Sequence, residues 1–251
     1  MEITSINNDL VKDTVKLQQK KYREETGKFL LEGFKSIEEA YLSKIKFEKL
    51  FVEKNKVGKY RFLNCEIIET NEMVLKKIST TDSAPEAVGV AFQKDNSFDN
   101  IGEKVLLLED IKDLGNLGTI IRTAVGFGVD TIILYGETVD IYNPKVVRSA
   151  VGNLWKINIV HMENIEQLNK YFGEFDRFAT LPKSDNVIEL SKLELKNKSN
   201  LIMFGSEASG LSVDLKEFAT SNVTIKTTSD IESLNLSISV GIVLYNLFLN
   251  K

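Results

Sequence analysis

The second half of the chain contains three polar segments whose residue types could bind or transform a ligand. The first, "DLGNLGTIIRTAVGFGVDTIILYG" (residues 113–136), has the pattern of a glycine-bearing turn followed by a helix and a strand. Apolar residues in that helix repeat at i, i+3, i+4, i+7 and i+8, which places Arg122 on the opposite face. Because a planar guanidinium suits bidentate phosphate contacts, Arg122 is either a phosphate ligand or a solvent-facing side chain.

The second segment, "LIMFGSEASGLS" (residues 201–212), is an apolar run that ends at Gly205, followed by a loop that contains Glu207 and Gly210. Glycines allow a ligand to approach the backbone closely. Open α/β sheets place functional groups at the carboxyl ends of their parallel strands, where Glu207 is expected. The alternative is that Ser206 and Glu207 only shape the turn.

The third segment, "VTIKTTSDIESLNLSISVGIVLYNL" (residues 223–247), reads as a strand, a polar loop and a final helix. Ser233 is predicted as the helix N-cap, with Asn235 and Ser237 in the first turn, where free N–H groups and polar side chains can meet a ligand. Capping alone requires only one polar residue, so the excess favours a binding role for Asn235. The helix, from Leu234 to about Asn250, is apolar nearly all round and is expected to be buried, partly against a second subunit.

The elements that must position these segments alternate along the second half of the chain. Apolar runs with little alternation predict parallel strands covered on both faces, and helices are expected to begin near Leu117, Pro144, Ile165 and Ser212. The predicted strands are "VLLLED", "DTIILYG", "KINIVHM", "FDRFATL", "LIMFGSE" and "NVTIKT". Before residue 94 the pattern predicts a small mixed α/β domain, with Asn71 as one helix N-cap, and the polar stretch 94–104 is interpreted as a linker.

Composition limits the class of protein. The chain has 251 residues, 43% of them hydrophobic, and no apolar run near the ~18 residues of a membrane span. The single cysteine, Cys65, excludes an intramolecular disulfide and a multi-cysteine metal cluster, and it is interpreted as a small apolar residue; no metal is expected. The N-terminus has no apolar signal core and is interpreted as that of a mature protein. With a single cysteine, a cytoplasmic setting is expected. The only histidine, His161, is interpreted as structural.

Charge is distributed unevenly. The net charge is −4, but residues 1–60 hold 13 Lys and Arg against 10 Asp and Glu. A local basic surface can act within an acidic protein because salt screens charges beyond about 10 Å. The first part of the chain therefore carries either a solvated lysine-rich face or a basic surface that meets nucleic acid.

The three segments together carry a resemblance that none carries alone. N-L-G-x-x-x-R, G-S-E-x-x-G-L and E-S-L-N-x-S, in this order, resemble the motifs of the SpoU (TrmH) branch of RNA ribose 2′-O-methyltransferases in the SPOUT superfamily. Residues 143–159 look like the stretch between the family's first and second motifs. Residues 16–40 look like the start of the substrate-binding domain that many members carry, so the resemblance covers nearly the whole chain.

The resemblance implies a fold, a cofactor and partners. The fold is a catalytic domain with a mostly parallel sheet and a C-terminal trefoil knot (residues 104–251), joined by a linker (96–103) to a smaller mixed α/β, ribosomal protein L30e-like domain that binds RNA (1–95). The methyl donor is S-adenosylmethionine and the assembly is a homodimer, expected to form through the last helix. The positions that match site residues are Asn116, Arg122, Glu207, Ser233 and Asn235, and those that match donor-binding residues are Gly205, Ile225 and Leu234.

The expected reaction is methyl transfer to a ribose 2′-hydroxyl of RNA. The N-terminal domain favours 23S ribosomal RNA over transfer RNA as substrate, by resemblance. Family schemes assign proton removal or substrate activation to Arg122, but a guanidinium with a pKa above about 12 is a poor base. A phosphate clamp that orients the hydroxyl is therefore favoured for Arg122. One departure is visible, because Lys226 follows Ile225 where the family usually has proline.

Two other classes of protein stay open. A catalytically silent RNA-binding relative would use the fold for docking only, but the polar motif positions are all occupied. A nucleotide-dependent enzyme on an ordinary doubly wound sheet would be expected to show G-x-G-x-x-G after a strand, and the chain has no such motif.

Overall fold

The computed structural model describes residues 1–183, 186–228 and 233–248, which belong to two compact units. The first unit comprises Met1–Asp95 and Asp140–Lys156, and the second comprises Asn96–Val139 and Ile157–Lys251. The boundary near residue 95 lies at the start of the predicted linker. The segment Asp140–Lys156 differs from the predicted division, since it packs with the first unit.

The first unit is a mixed α/β structure, as predicted. Its elements are β1 (Glu2–Ile3), α1 (Asp9–Lys16), α2 (Lys20–Thr26), β2 (Lys28–Glu32), α3 (Phe34–Leu42), β3 (Phe47–Glu53), a 3-10 helix (Lys54–Tyr60), β4 (Glu66–Thr70), α4 (Glu72–Ile78), β5 (Ala87–Phe92) and α6 (Pro144–Ala150). The sheet order is β1-β4-β3-β5-β2, in which β5 is antiparallel to its neighbours. The predicted N-cap of α4 is confirmed, because the Asn71 side chain accepts a hydrogen bond from the Val74 N–H.

The polar sequence of residues 7–27 has the pattern of one helix, but the structure has two helices there. The Arg23 guanidinium, which is 2% exposed, donates to the Leu17 carbonyl at 2.8 Å. In a continuous helix that carbonyl would accept the N–H four residues later. The helix therefore breaks between α1 and α2, and the break lets Leu17 and Arg23 both become buried.

Buried polar contacts and aromatic packing hold the segment Asp140–Lys156 in the first unit. The Arg23 Nε and Nη2 atoms donate to one Asp140 oxygen at 2.8 and 2.5 Å. The rings of Tyr142 and Trp155 lie 4.9 and 5.2 Å from the ring of Phe29. Because these partners are more than a hundred residues apart in the chain, local sequence patterns carry no trace of the arrangement.

The second unit contains a seven-stranded sheet in which all pairings are parallel. Its elements are β6 (Lys104–Glu109), α5 (Leu114–Gly126), β7 (Thr131–Tyr135), β8 (Asn158–Met162), α7 (Ile165–Phe172), β9 (Asp176–Thr180), β10 (Ile188–Glu189), β11 (Asn200–Phe204), α8 (Val213–Phe218), β12 (Ser221–Thr224) and α9 (Leu236–Phe248), with 3-10 helices at Phe98–Asn100 and Leu190–Lys192. The order is β10-β12-β9-β11-β6-β7-β8. The prediction of a mostly parallel sheet with buried strands is confirmed, whereas the trefoil knot stays a prediction.

Two helix boundaries differ from the predicted ones. Helix α5 begins three residues before Leu117, so Gly115 and Gly118 lie in the helix and not in a loop. Helix α9 begins at Leu236, two residues after the predicted start. The predicted end near Asn250 and Glu232 of the third motif lie outside the described residues. Within the described part of the chain, no helix has the length and apolar character needed to cross a membrane.

Candidate functional site

The centre of the parallel sheet is a topological switch point. From β6 the chain continues to β7 and β8 on one side, whereas β11, β9, β12 and β10 lie on the other. Loops that leave adjacent strands in opposite directions open a crevice at the carboxyl ends, which is where such sheets bind ligands. The cavity at this position has a volume of about 280 Å³ and is lined by residues 110–113 and 206–209 with Asn116 and Leu236.

The loop after β6 is fixed by its own carboxylates. Asp110 has a left-handed backbone with φ of 51°, and its Oδ1 accepts a hydrogen bond from the Glu137 N–H at 2.8 Å. Asp113 is the N-cap of α5, since its Oδ1 accepts from the Asn116 N–H at 2.6 Å. The cap holds Asn116 in the first turn of α5, with its side chain at the cavity.

Three of the predicted site residues are brought together in one chain of hydrogen bonds. Asn116 Nδ2 donates to Glu207 Oε1 at 2.5 Å, and Asn235 Nδ2 donates to Asn116 Oδ1 at 3.1 Å. Asn235 Oδ1 in turn accepts from the Ser237 N–H at 2.9 Å and the Ser237 hydroxyl at 2.6 Å. The first, second and third motifs thus meet at one place.

The chemistry of the partners sets the direction of this chain. A free helix N–H can only donate, so Asn235 must present its oxygen to α9 and its NH₂ to Asn116. Asn116 must then present its own NH₂ to Glu207, and an ionised carboxylate accepts it. Asn235, and not the predicted Ser233, therefore caps α9; Ser233 is exposed.

The structure shows why position 205 requires glycine, which the sequence did not reveal. A Cβ at this position would lie 2.0 Å from the Gly210 carbonyl carbon and 2.1 Å from the Leu211 nitrogen. The loop after β11 folds back on itself, with an antiparallel bridge between Ser206 and Gly210 and a 2.7 Å hydrogen bond between the Ser206 and Ser209 hydroxyls. The glycine is required by this return of the backbone, whether or not a ligand also approaches it.

The end of the same loop is anchored in the sheet. The Ser212 N–H donates to Glu109 Oε2 at 2.7 Å, and Glu109 is only 6% exposed at the carboxyl end of β6. The loop after β11 is thereby joined to the carboxyl end of β6. This connection fixes Glu207 relative to Asn116.

Arg122 is not among the residues that line the cavity. It is exposed on α5, and among the described residues no hydrogen bond or ion pair to it is found. The same helix packs on α9, where the Thr123 methyl lies 3.7 Å from the position that a Cβ on Gly241 would take. The role of Arg122 at the substrate stays a prediction.

The remaining predicted donor-binding residues lie at the same edge of the sheet. Ile225 directly follows β12 and is half-buried, and Leu234 is half-buried just before α9. Strand β9 separates β12 from β11, so Ile225 and Gly205 are two strand spacings apart, about 10 Å. Lys226, where the family usually has proline, turns to solvent and lies 3.7 Å from Glu189.

The last helix, which is expected to be buried partly against a second subunit, buries most of its apolar residues within its own unit. Leu236, Val240, Val243, Leu244 and Leu247 are buried, and Phe248 is half-buried. The residues exposed on α9 are Ile238, Ile242 and Tyr245. Spacings of four and three residues put these three on one stripe of the helix.

Sequence reasoning missed the contribution of the loop after β6. Asp110, Lys112 and Asp113 line the cavity, although no motif drew attention to them. The available signal was their position, since they are polar residues directly after a buried strand. Cys65 is half-buried, and burial raises the pKa of its thiol to about 11, so the uncharged form expected of a small apolar residue is favoured.

A parallel sheet with a cavity at its switch point, lined in part by acidic, amide and hydroxyl side chains, is the arrangement in which open α/β domains bind ligands. Residues 103–245 match the SpoU rRNA Methylase family, and residues 8–89 match the MRM3-like substrate binding domain. The chain therefore belongs to the SpoU rRNA methylase family.

Similar proteins extend over the full length of the chain. An uncharacterised tRNA/rRNA methyltransferase of Synechocystis is 33% identical over 97% of this chain and 92% of its own. The 23S rRNA (guanosine(2553)-2′-O)-methyltransferase RlmP of Bacillus subtilis is 28% identical over 98% of both chains. The crystal structure of an AdoMet-bound rRNA methyltransferase from Sinorhizobium meliloti has a TM-score of 0.89 and 32% identity over 98% of this chain and 96% of that one.

Proposed function

We propose that this protein transfers a methyl group from S-adenosylmethionine to a ribose 2′-hydroxyl of 23S ribosomal RNA. The observation that carries the proposal is the hydrogen-bonded chain of Glu207, Asn116 and Asn235 at the switch point, which unites the three motifs. The similarity to RlmP of Bacillus subtilis supports ribose 2′-O-methylation as the reaction and ribosomal RNA as the substrate. A cytoplasmic location, expected from the sequence, is part of this proposal.

The residues at the carboxyl edge fit S-adenosylmethionine. Gly205, Ile225 and Leu234 offer main-chain groups in three loops at one end of the sheet, and Ile225 and Leu234 add half-buried apolar side chains. When bound, the donor supplies a methyl group on a positively charged sulfur. The similarity to the AdoMet-bound protein of Sinorhizobium meliloti supports this cofactor.

The side chains of the cavity can orient a ribose hydroxyl. Asn116 uses one oxygen of Glu207, which leaves the other oxygen of this exposed carboxylate as an acceptor for a hydroxyl proton. A hydroxyl that donates there is held in one direction, and correct orientation of two reactants contributes greatly to rate. Arg122 binds the phosphate next to that ribose and is not the base, because its guanidinium does not readily release a proton.

The protein acts as a homodimer through the stripe of Ile238, Ile242 and Tyr245. These residues are 54%, 39% and 52% exposed, which is unusual for three apolar side chains in line on one helix. Sedimentation of Ile242→Lys tests the assembly, because a buried lysine disfavours a closed apolar interface. A wild-type protein that sediments as a monomer at micromolar concentration and is active contradicts it.

Mapping of 2′-O-methylated nucleotides in total RNA from cells with and without the gene tests the proposed reaction. Loss of one methylated ribose in 23S ribosomal RNA is the expected result. Loss of a methylated ribose in transfer RNA would show that the substrate is transfer RNA and not ribosomal RNA. An unchanged map, together with S-adenosylmethionine binding by the purified protein, would favour a silent RNA-binding relative.

A further inference from the structure

Helix α3 of the first unit leaves apolar side chains uncovered. The spacing of Phe34, Ile37, Tyr41 and Leu42 predicts one buried face, and Ile37 is indeed fully buried. Tyr41 and Leu42, however, are 41% and 67% exposed. Packing within the unit therefore does not account for the apolar residues at this end of the helix.

The exposed end of α3 belongs to a group of aromatic rings. Phe62, which follows the 3-10 helix Lys54–Tyr60, lies 4.9 Å from Tyr41 and 6.2 Å from Phe34, measured between ring centroids. Phe34 and Phe62 are half-buried. We call Phe34, Tyr41 and Phe62 the aromatic patch. Tyr41 is its most exposed member, and Lys59 Nζ lies 6.0 Å from the Phe34 ring centroid.

Buried Tyr60 packs against the aromatic patch. Its ring lies 5.5 Å from that of Phe34, and its hydroxyl donates to Glu86 at 2.9 Å. Tyr60 is fully buried, and burial raises the pKa of its hydroxyl. The rings of the patch are therefore packed on a buried and hydrogen-bonded side chain. Because they are already held in place, little conformational freedom is lost when a flat ligand stacks on them.

The two segments that contain the aromatic patch carry an excess of positive charge. Residues 33–46 and 54–62, the two segments that contain it, hold seven Lys or Arg and two Glu. Of the nearby acids, Glu39 pairs with Lys156 at 2.8 Å and Glu86 pairs with Lys59 at 2.9 Å. Lys35 and Arg61 are exposed, and no ion pair to either is found among the described residues.

A nucleic acid strand with unpaired bases matches this combination. Bases stack on aromatic rings while cations bind the phosphates, and RNA-binding proteins recognise unpaired nucleotides in this way. An acidic protein segment would satisfy the cations but offers no flat ring for each aromatic side chain. A base-paired RNA helix hides the faces of its bases.

We propose that the aromatic patch stacks on unpaired bases of the RNA substrate, while Lys35 and Arg61 bind the adjoining phosphates. This inference rests on the proposed RNA methylation for the identity of the ligand. It assigns to the first unit a defined contact surface, and it makes a loop or a single-stranded region of the RNA the part that this unit recognises.

Fluorescence anisotropy of the full-length protein with a labelled single-stranded oligoribonucleotide of about twelve nucleotides tests the stacking, since known sites cover roughly 4–16 nucleotides. Phe62→Leu and Tyr41→Leu keep an apolar side chain but remove the ring. Each is expected to weaken binding on the order of tenfold, as loss of one stacked base does. Tyr41→Phe keeps the ring and is expected to bind as the wild type does.

Phe92→Leu is the matched control. Phe92 is 39% exposed in the same unit, and Lys28 lies 5.4 Å from its ring centroid, but that lysine is paired with Glu48 at 3.0 Å. The control is expected to bind the oligonucleotide normally. Arg61→Gln is expected to reduce the dependence of affinity on salt by about one phosphate contact.

Equal affinity of Phe62→Leu, Tyr41→Leu and wild type would overturn the proposal, and so would an equal loss in Phe92→Leu. A change in sedimentation with normal RNA affinity in Tyr41→Leu would also overturn it, because the patch would then be a protein interface. Tyr41 is exposed, so this variant is expected to fold even if Phe62→Leu does not.

Methyl transfer by the wild-type protein to ribosomal RNA is measured separately. Transfer without any effect of the patch variants on RNA binding would refute the stacking surface and leave the proposed function intact. Loss of oligonucleotide affinity in the variants, with no transfer by the wild type, would refute the proposed function and support the stacking surface.

Discussion

The two units use their polar side chains differently. In the first unit, Arg23 and Asp140 form an ion pair in which the arginine is 2% exposed and both partners hold distant parts of the chain together. In the second unit, Asn116, Glu207 and Asn235 form a chain of hydrogen bonds at the edge of a cavity. Buried charge thus holds one unit together, whereas the other carries neutral amides and one carboxylate where a ligand can reach them.

This difference separates the residues that determine the stability of the fold from those that contact the ligand. Removing one partner of a buried ion pair leaves an uncompensated charge and destabilises the fold strongly. Removing an exposed polar group from a cavity has little effect on stability but removes a contact with the ligand. Variants in the two units are therefore expected to separate unfolding from catalysis.

The largest effect on stability is expected from Arg23→Met. The variant leaves Asp140 without its partner and the Leu17 carbonyl without a donor, so the free energy of unfolding should fall by about 3–5 kcal/mol. Urea denaturation followed by circular dichroism measures the change. Lys21→Met on the same helix is the control, because Lys21 forms an exposed pair with Glu25 and an exposed contact with the Tyr22 ring, and its loss should change stability by less than about 0.5 kcal/mol. Equal midpoints for the two variants would show that the buried ion pair does not hold the first unit together.

The largest effect on catalysis is expected from Arg122→Ala, with a loss on the order of 10²-fold or more in rate if the residue orients the substrate. Stability and donor affinity should hardly change, because Arg122 is exposed and lies outside the cavity. Arg122→Lys keeps the charge but loses the bidentate fork, so partial activity at neutral pH is expected. Single-turnover rates with saturating RNA and calorimetry with S-adenosylmethionine separate these effects.

Lys170→Ala, a change of an exposed cation on α7, is the control for Arg122→Ala. Near-normal turnover of Arg122→Ala would show that Arg122 is a solvent-facing side chain without a role in the reaction. A pH–rate profile of Arg122→Lys that follows the pKa of the new amine would instead indicate a base.

A smaller, local effect separates the two glycines of the loop after β11. Gly205→Ala places a Cβ 2.0 Å from the Gly210 backbone and should cost about 3 kcal/mol, at the upper end of overpacking. Gly210→Ala meets nothing within 4 Å, but its φ of +67° should cost about 1 kcal/mol. Thermal unfolding ranks the two variants. Equal melting temperatures would show that the close return of the backbone does not determine the stability of this loop.

Much of the second unit could be predicted from the sequence because its signals are local. Apolar runs such as "LIMFG" give buried parallel strands, and α7 and α8 begin at or next to the predicted residues Ile165 and Ser212. The three motifs lead to Asn116, Glu207 and Asn235, which the structure brings together. Propensity rules, however, favoured Ser233 as the cap of α9, whereas Asn235 takes that place because it also bonds to Asn116.

The rest could not be predicted because it depends on contacts between distant residues. No local pattern shows that Asp140–Lys156 packs in the first unit, since the partners of Asp140 and Arg148 are Arg23 and Glu32. Deletion of residues 1–95, the natural test of a two-domain sequence, would also remove Phe29 from its contacts with Tyr142 and Trp155. Point variants of the first unit are therefore the sounder test of RNA recognition.

The central claim is that the site at the switch point methylates a ribose and not a base. The direct measurement is transfer of a labelled methyl group from S-adenosylmethionine to ribosomal RNA by the purified protein, followed by alkaline hydrolysis. A methyl group on the 2′-oxygen blocks cleavage of the adjoining phosphodiester, so the account predicts label in alkali-resistant dinucleotides, and much less of it with Asn116→Ala. Label in mononucleotides, or equal transfer by Asn116→Ala and the wild type, would contradict the account.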